Sequence, residues 1–307
     1  MKIVFFGTPE FAVESLEALL NAGPDIEVAA VVTVPDKVGG RGHRVIHSPV
    51  KLCALEHGLP LLQPEKLRDP EFLDSLRGFG ADLFVVIAFR MLPREVWQMP
   101  PMGTFNLHAS LLPRYRGAAP INHAIINGET RTGVSTFLLK HEIDTGDILM
   151  QEAIEIGPDD NIGQVYDRLM HLGARLTVET VRALEAGTVT PVPQEQVSAN
   201  GPACPAPKIF KETCEIDWTR SAAQVHNLVR GLSPYPCAWS VIDGVEHKFQ
   251  ATRPTDEPVG DATPGTLRAD RGRLLVATGD CWIEVLTLQP AGKRPMDARA
   301  WLNGHSL

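Results

Sequence analysis

The chain has 307 residues, of which 44% are apolar and 21% charged, with a formal net charge of −8. That length suits two domains rather than one core, and the acidity excludes a protein that coats nucleic acid, because phosphate neutralisation needs clustered Lys and Arg. Residues 1–200 hold 17 basic and 25 acidic side chains, against 12 of each in 201–307, so any contact with nucleic acid has to be local.

From the N-terminus, β-branched apolar runs alternate with helical patterns, the signature of a mostly parallel sheet with helices on both faces. The strands fall at Ile3–Phe6, Val28–Val32, Leu83–Ile87, Thr104–His108 and Val134–Leu138. Helices are predicted over Phe11–Asn21, Ser48–His57, Pro70–Gly78, Pro120–Asn127 and Ile162–Ala186. Between Thr188 and Lys208 the chain carries Pro191, Pro193, Pro202, Pro205 and Pro207 without periodicity and reads as a linker. Beyond it, one helix (Ser221–Arg230) precedes short strands at Trp239–Ile242, Lys248–Ala251, Gly265–Leu267, Leu274–Thr278 and Trp282–Leu288. The expected architecture is α/β: a Rossmann-like N-terminal domain over 1–188, a linker over 189–208, and a small OB-like β-barrel over 209–307.

In an open α/β sheet, ligands bind at the carboxyl ends of the strands, where the run Thr104-Phe105-Asn106-Leu107-His108 finishes. Residues two apart on a strand face the same side, so Asn106 and His108 share one space while Leu107 packs away. Acyl transfer to an amine develops an oxyanion that needs a donor, for which Asn106 or protonated His108 is suited. The amine must also lose a proton to a base. Asp144, in the turn Glu142–Asp147, could stabilise a charged His108, and spacing alone leaves Asp147 equally suitable. A strand-end Asn or His is more often a structural residue than a catalyst.

Asn106-Leu107-His108-Ala109-Ser110-Leu111-Leu112-Pro113-Arg114-Tyr115-Arg116-Gly117-Ala118-Ala119-Pro120, followed by Asp144-Thr145-Gly146-Asp147, resembles the signature of the folate-dependent formyltransferases. The resemblance implies a catalytic Asn106, His108 and Asp144, and selects Asp144 over Asp147. It implies 10-formyltetrahydrofolate as co-substrate, with Ser110, Leu111, Leu112 and Pro113 beside the pterin and Ile87 and Phe89 in the opposite wall. The family usually has Tyr-Gly where this chain has Phe89-Arg90, which leaves Arg90 without an assigned role.

The acceptor is indicated by two features. The loop Pro35–Pro49 carries Lys37, Arg41, Gly42 and Arg44 around three glycines, a composition suited to following an RNA end. It resembles the loop of the tRNA-acting family members, in which an arginine in a Gly-Arg-Gly run contacts the acceptor stem. By itself such a loop is as readily a solvated surface segment. The C-terminal extension resembles the same branch at Lys208–Lys211, Ile216–Trp218, Ser221–Gln224 and Leu288–Lys293, which adds Lys208 and Lys211 to the tRNA contacts and, more weakly, Lys293 and Arg294. Exposed cations are usually only solvated, and Trp218, Trp239 and Trp282 suit a core better than base stacking.

The expected partner is therefore initiator methionyl-tRNA, whose α-amino group is formylated for translation initiation by a monomeric enzyme that uses no metal. His43 and His47 could suggest an ion but lack a third ligand. Five cysteines form no C-x-x-C pair and fit a reducing cytoplasm. Met1–Gly7 is too short for a signal peptide, and no membrane association is expected. The rivals are a formyltransferase acting on a sugar-nucleotide amine, a nucleotide-dependent oxidoreductase, which lacks support because Gly7-Thr8-Pro9-Glu10-Phe11 has no G-x-G-x-x-G pattern, and a non-catalytic RNA-binding module.

Overall fold

A computed structural model of the protein describes residues 1–39, 44–197 and 201–305. The chain divides into two compact units: one of Met1–Gly117, Gly133–Ile154 and Asp167–Pro205, the other of Ala118–Thr132, Glu155–Tyr166 and Ala206–Leu307.

In chain order the elements begin β1 (Lys2–Gly7), α1 (Glu10–Leu20), β2 (Glu27–Val32), β3 (Lys37–Gly39), β4 (Arg44–Ile46), α2 (Pro49–Glu56), β5 (Leu61–Leu62), α3 (Pro70–Gly78) and β6 (Leu83–Ile87). They continue with α4 (Arg94–Trp97), β7 (Thr104–His108), β8 (Arg114–Gly117), α5 (Pro120–Ile126), β9 (Arg131–Leu138), β10 (Ile148–Glu155), α6 (Ile162–Glu185) and β11 (Cys204–Ala206). The main sheet of the first unit runs β10-β9-β7-β6-β1-β2-β5. Its pairs from β7 to β5 are parallel, and β9 joins β7 antiparallel. β1, β2 and β6 are almost wholly buried, which is why they read as continuous apolar runs without alternation.

The helix starts follow local chemistry. The Ser48 hydroxyl accepts from the Lys51 N–H with Pro49 at the first helical position, and the Asp69 carboxylate accepts from the Glu71 N–H ahead of Pro70. Gly7 closes β1 for a packing reason: a Cβ there would lie 2.8 Å from Ala12 Cβ and from Phe5 Cε1.

The short strands β3, β4, β5, β8 and β11 and the longer β10 escape the sequence pattern. β5 and β8 are very short, and β10 alternates poorly because only its first two residues are buried. Within the stretch read as a linker, Val192 bridges Ile148 with both backbone bonds at 2.8 Å, and Gln194–Gln196 forms a 3₁₀ turn in which Gln194 is buried.

In the second unit, α7 (Ala222–Leu232) starts with a reciprocal capping box between Ser221 and Gln224. The strands β12 (Ala238–Ile242), β13 (Val245–Pro258), β14 (Leu267–Asp270), β15 (Arg273–Ala277), β16 (Cys281–Pro290) and β17 (Met296–Asp297) precede α8 (Ala298–Leu302). They form an antiparallel sheet in the order β12-β13-β16-β15-β14, with β17 on β16. β13 is far longer than the expected Lys248–Ala251, because its second half is polar, exposed and contains Pro254 and Pro258. β14 begins where the expected Gly265–Leu267 strand was to end, and α8 was not anticipated. Val225, Val229, Phe249, Leu274, Ile283, Leu288 and Trp301 anchor this unit's core.

Candidate active site

β7 carries the expected pair on one face. Leu107 is 3% exposed, and a Cβ on Gly173 of α6 would come within 2.7 Å of its Cδ2. Thr136, the cross-strand partner of Leu107, meets Thr180 of α6 at 2.9 Å. That face of β7 is therefore closed by α6, and the alternation of a strand puts Asn106 and His108 on the other. Asn106 pairs in register with Val86 of β6, and Leu107 with Ile87, so β6 and β7 end side by side.

His108 is buried, and its Nε2 lies 2.8 Å from the Tyr115 carbonyl oxygen. A carbonyl only accepts, so Nε2 carries the proton, and in the neutral ring Nδ1 is the atom able to take another. The ring stands edge-on to Phe137, at 6.5 Å and 83°. Asn106 is half-buried, and among the described residues its amide has no hydrogen-bond partner.

Asp144 occupies a left-handed conformation, φ +55°, in the turn after β9. Its Oδ2 accepts the Gly117 N–H at 3.0 Å. The turn is clamped from within the proline-rich stretch: the Gln194 amide donates to the carbonyls of Asp144 and Gly146, both at 2.8 Å. Arg116 donates to Gln194 Oε1 from Nε at 3.0 Å and Nη2 at 2.7 Å. Gly146 allows no side chain, since a Cβ would lie 1.5 Å from the Leu138 oxygen. Asp147 is committed elsewhere, to Lys140 at 2.6 Å.

β8 thus connects the trio. Its Tyr115 carbonyl holds His108, its Gly117 N–H holds Asp144, and its Arg116 supports the clamp. Asp144 and His108, expected as electrostatic partners, are thus each held by a backbone group of β8. Gln194 could not be found from sequence, lying fifty residues from Asp144 in a segment without periodicity.

The Ser110–Pro113 loop is fixed by two further residues that sequence reasoning missed. Ser135 Oγ donates to the Ser110 carbonyl at 2.6 Å and accepts the Leu112 N–H at 3.1 Å, while Gln151 Nε2 donates to the Leu112 carbonyl at 2.9 Å. Ser110, Leu112 and Pro113 are buried and Leu111 is half-buried, so the loop offers backbone groups and Leu111 to a flat ring. Ile87 is fully buried, whereas Phe89 is half-buried and packs edge-on to Phe6 at 5.8 Å. Arg90 is half-buried, and its guanidinium donates to the Pro64 carbonyl and, at 2.8 Å, to the Glu65 carbonyl. Burial lowers its pKa from the ordinary guanidinium value.

The basic positions are scattered. Lys37 lies exposed on the β3–β4 hairpin, and Arg44 is the first residue of β4. Arg41 and Gly42, like His43, fall outside the described residues. Asp36, which opposes the loop cations in the sequence, instead pairs with Lys51 at 2.6 Å and His47 at 3.0 Å, and these bonds hold its carboxyl well below the usual range. In the second unit, Lys208 lies 5.5 Å over the Phe210 ring, whereas Lys211 is bound by Glu246 at 2.6 Å, which raises its pKa. Trp282 is buried and Trp218 packs edge-on to Phe249, as expected of core residues.

A parallel sheet whose neighbouring strands end on an Asn-x-His pair, faced by an acidic turn, defines a class when set beside known proteins. Residues 1–181 match the family model described as formyl transferase, and residues 208–306 match that of the formyl transferase C-terminal domain. The chain belongs to the formyl transferase family.

Its relatives along the whole length include the methionyl-tRNA formyltransferase of Bacteroides fragilis, 51% identical over 100% of this chain and 96% of that protein. The methionyl-tRNA formyltransferase of Porphyromonas gingivalis is 49% identical over the same shares. Among solved structures, a sugar 3N-formyl transferase crystallised with dTDP and 5-N-formyl-THF superposes with a TM-score of 0.68 over 96% of this chain and 99% of that one, at 18% identity. No helix among the described residues is long and apolar enough to cross a membrane.

Proposed function

We propose that the protein transfers the formyl group of 10-formyltetrahydrofolate to the α-amino group of initiator methionyl-tRNA. One observation carries the chemistry: at the end of β7, Asn106 presents an amide without a partner among the described residues, beside a histidine whose Nε2 is already occupied. The bound folate supplies the formyl carbon as electrophile. Asn106 donates a hydrogen bond to the formyl oxygen as negative charge builds on it. The amine nitrogen bonds to the formyl carbon and His108 takes the amine proton at Nδ1, directly or through water; as the carbon–N10 bond breaks, that proton passes to N10 and tetrahydrofolate leaves, while Tyr115 keeps the ring oriented. The Asp144 carboxylate, aimed by Gly117 and by the Gln194 clamp, offers negative charge toward the protonated ring across the shared strand.

Phe89, Leu111 and the backbone of the Ser110–Pro113 loop fit a pterin, which needs apolar walls and backbone hydrogen-bonding groups. For the acceptor, Lys37, Arg41, Gly42 and Arg44 serve the RNA end. Lys208 is the better placed of the two C-terminal lysines, because Lys211 is neutralised by Glu246. The working division keeps 1–188 as the catalytic domain, 189–208 as its connection and 209–307 as the tRNA-binding domain, in a monomer acting in the cytoplasm.

The test is formylation by the purified protein, with 10-formyltetrahydrofolate, of charged initiator tRNA and in parallel of a UDP-amino-sugar. Product on the tRNA alone is expected. Product on the sugar alone would overturn the assignment of acceptor.

A further inference from the structure

A second set of chemically versatile side chains sits on α1 and α2, not on the elements that carry Asn106, His108 and Asp144. Cys53 lies in α2 and His57, four residues on, caps its C-terminus, so the last turn puts both on the same face. The His57 N–H donates to the Cys53 carbonyl at 3.1 Å and closes that turn. From α1, Glu17 reaches across with Oε1 3.3 Å from Cys53 Sγ and 2.9 Å from His57 Nε2. The three ligand atoms all lie within 4.8 Å of one another.

Those separations are close to what a cation requires. With metal–sulfur bonds of about 2.3 Å and metal–nitrogen or metal–oxygen bonds of about 2.0–2.1 Å, the ligands of a tetrahedral zinc ion stand roughly 3.3–3.6 Å apart. Opening the Glu17 contacts by a few tenths of an ångström, with Cys53 Sγ and His57 Nε2, no more than 4.8 Å apart, settling into the same range, would admit the ion. Cys, His and carboxylate together are also a donor set of the kind zinc takes.

We propose that Glu17, Cys53 and His57 form a three-ligand site for a divalent, zinc-like cation that ties α1 to α2 and leaves a fourth position for water. This departs from the expectation that the chain uses no metal. On binding, the Cys53 S–H bond breaks, its proton goes to solvent, and the sulfur lone pair forms the metal bond. His57 supplies the Nε2 lone pair with its proton on Nδ1, and Glu17 supplies a carboxylate oxygen. One thiolate and one carboxylate balance the two positive charges, so the half-buried site carries no net charge, which avoids the cost of burying an isolated ion.

Without a cation the same atoms form a hydrogen-bonded knot in which the thiol donates to the carboxylate. Burial, with the Glu17 carboxylate next to it, pushes the Cys53 thiol up to about 12. Cys53 is 5% exposed and His57 is exposed, so a cation enters from the His57 side.

The test uses the full-length protein, stripped with a chelator and titrated with Co²⁺. One equivalent should produce a thiolate-to-cobalt charge-transfer absorption in the near ultraviolet, and Zn²⁺ should abolish it by displacement. His57→Ala, at an exposed position that tolerates truncation, and Glu17→Gln should each weaken binding at least about tenfold. Cys53→Ala should remove the absorption entirely, and His47→Ala should change nothing. Zn²⁺ should raise the Tm of the wild type but not of His57→Ala. No charge-transfer band in the wild type, or equal affinity in His57→Ala, would overturn the proposal.

Discussion

Tyr115 presents its backbone carbonyl to Nε2 of His108 at 2.8 Å, and this single contact decides which ring nitrogen remains free for chemistry. Tyr115 holds φ +59°, an uncommon conformation for a residue with a side chain, and so aims its carbonyl where an ordinary strand residue would not.

His108→Gln tests the role of Nδ1. Glutamine can still donate to the Tyr115 carbonyl but has no base, so the fold should persist while kcat falls by about 10²–10³, comparable to the loss on Asn106→Ala. Single-turnover formylation alongside a thermal melt reads both; near-wild-type turnover in His108→Gln would remove the histidine from proton transfer.

Gln194→Ala tests the clamp. It strips hydrogen bonds from the carbonyls of Asp144 and Gly146 and leaves Arg116 without its acceptor. Stability should drop by about 1–3 kcal/mol, and kcat should fall with little change in the KM for folate. Urea unfolding with steady-state kinetics checks this, and a loss of stability with unchanged kcat would reduce Gln194 to a structural residue.

Two glycines should respond differently to alanine. At Gly146 the new Cβ would meet a backbone oxygen at 1.5 Å, whereas at Gly173 it meets the end of the Leu107 side chain at 2.7 Å. Gly146→Ala must displace the Asp144 turn and should be among the rare changes costing more than about 4 kcal/mol. Gly173→Ala should cost about 1–3 kcal/mol, because a leucine can shift. Equal melting temperatures for the two variants would contradict this ranking.

His226 should make the C-terminal unit sensitive to mild acid. It is buried, with Nδ1 3.0 Å from Thr252 Oγ1 and Nε2 3.1 Å from the Pro158 carbonyl. Burial lowers its pKa from 6.5, and the positive Arg230 adds to that effect. The unfolded chain therefore takes up the proton first as pH falls. This group's contribution is intact above about pH 6.5 and erodes between there and the lower folded-state value. Urea midpoints measured from pH 7.5 down to 5.5 should fall more steeply for the wild type than for His226→Gln.

The central strands, their order of appearance and the Asn106–His108 pair were legible in the sequence because they depend on local pattern: strands buried on both faces are apolar throughout, and alternation along a strand is geometric. β10, the polar half of β13 and the proline-rich stretch were not legible, since each is ordered by a neighbour remote in the chain rather than by its own periodicity.

By itself, the sequence determined the family and the chemical inventory, because the run from Asn106 through Pro120, followed by Asp144-Thr145-Gly146-Asp147, forms a residue-specific signature. Only the tertiary structure decided how that inventory is wired. The partners of His108, Asp144 and the loop are Tyr115, Gly117, Ser135, Gln151 and Gln194. All of these contacts use a backbone group on at least one side, which every residue possesses and which no residue type announces, and Gln194 acts across fifty residues of chain. Glu17, Cys53 and His57 likewise become a cluster only when α1 lies against α2. Hydrogen bonds and metal sites need ångström-scale proximity in space, which packing creates and chain position does not encode.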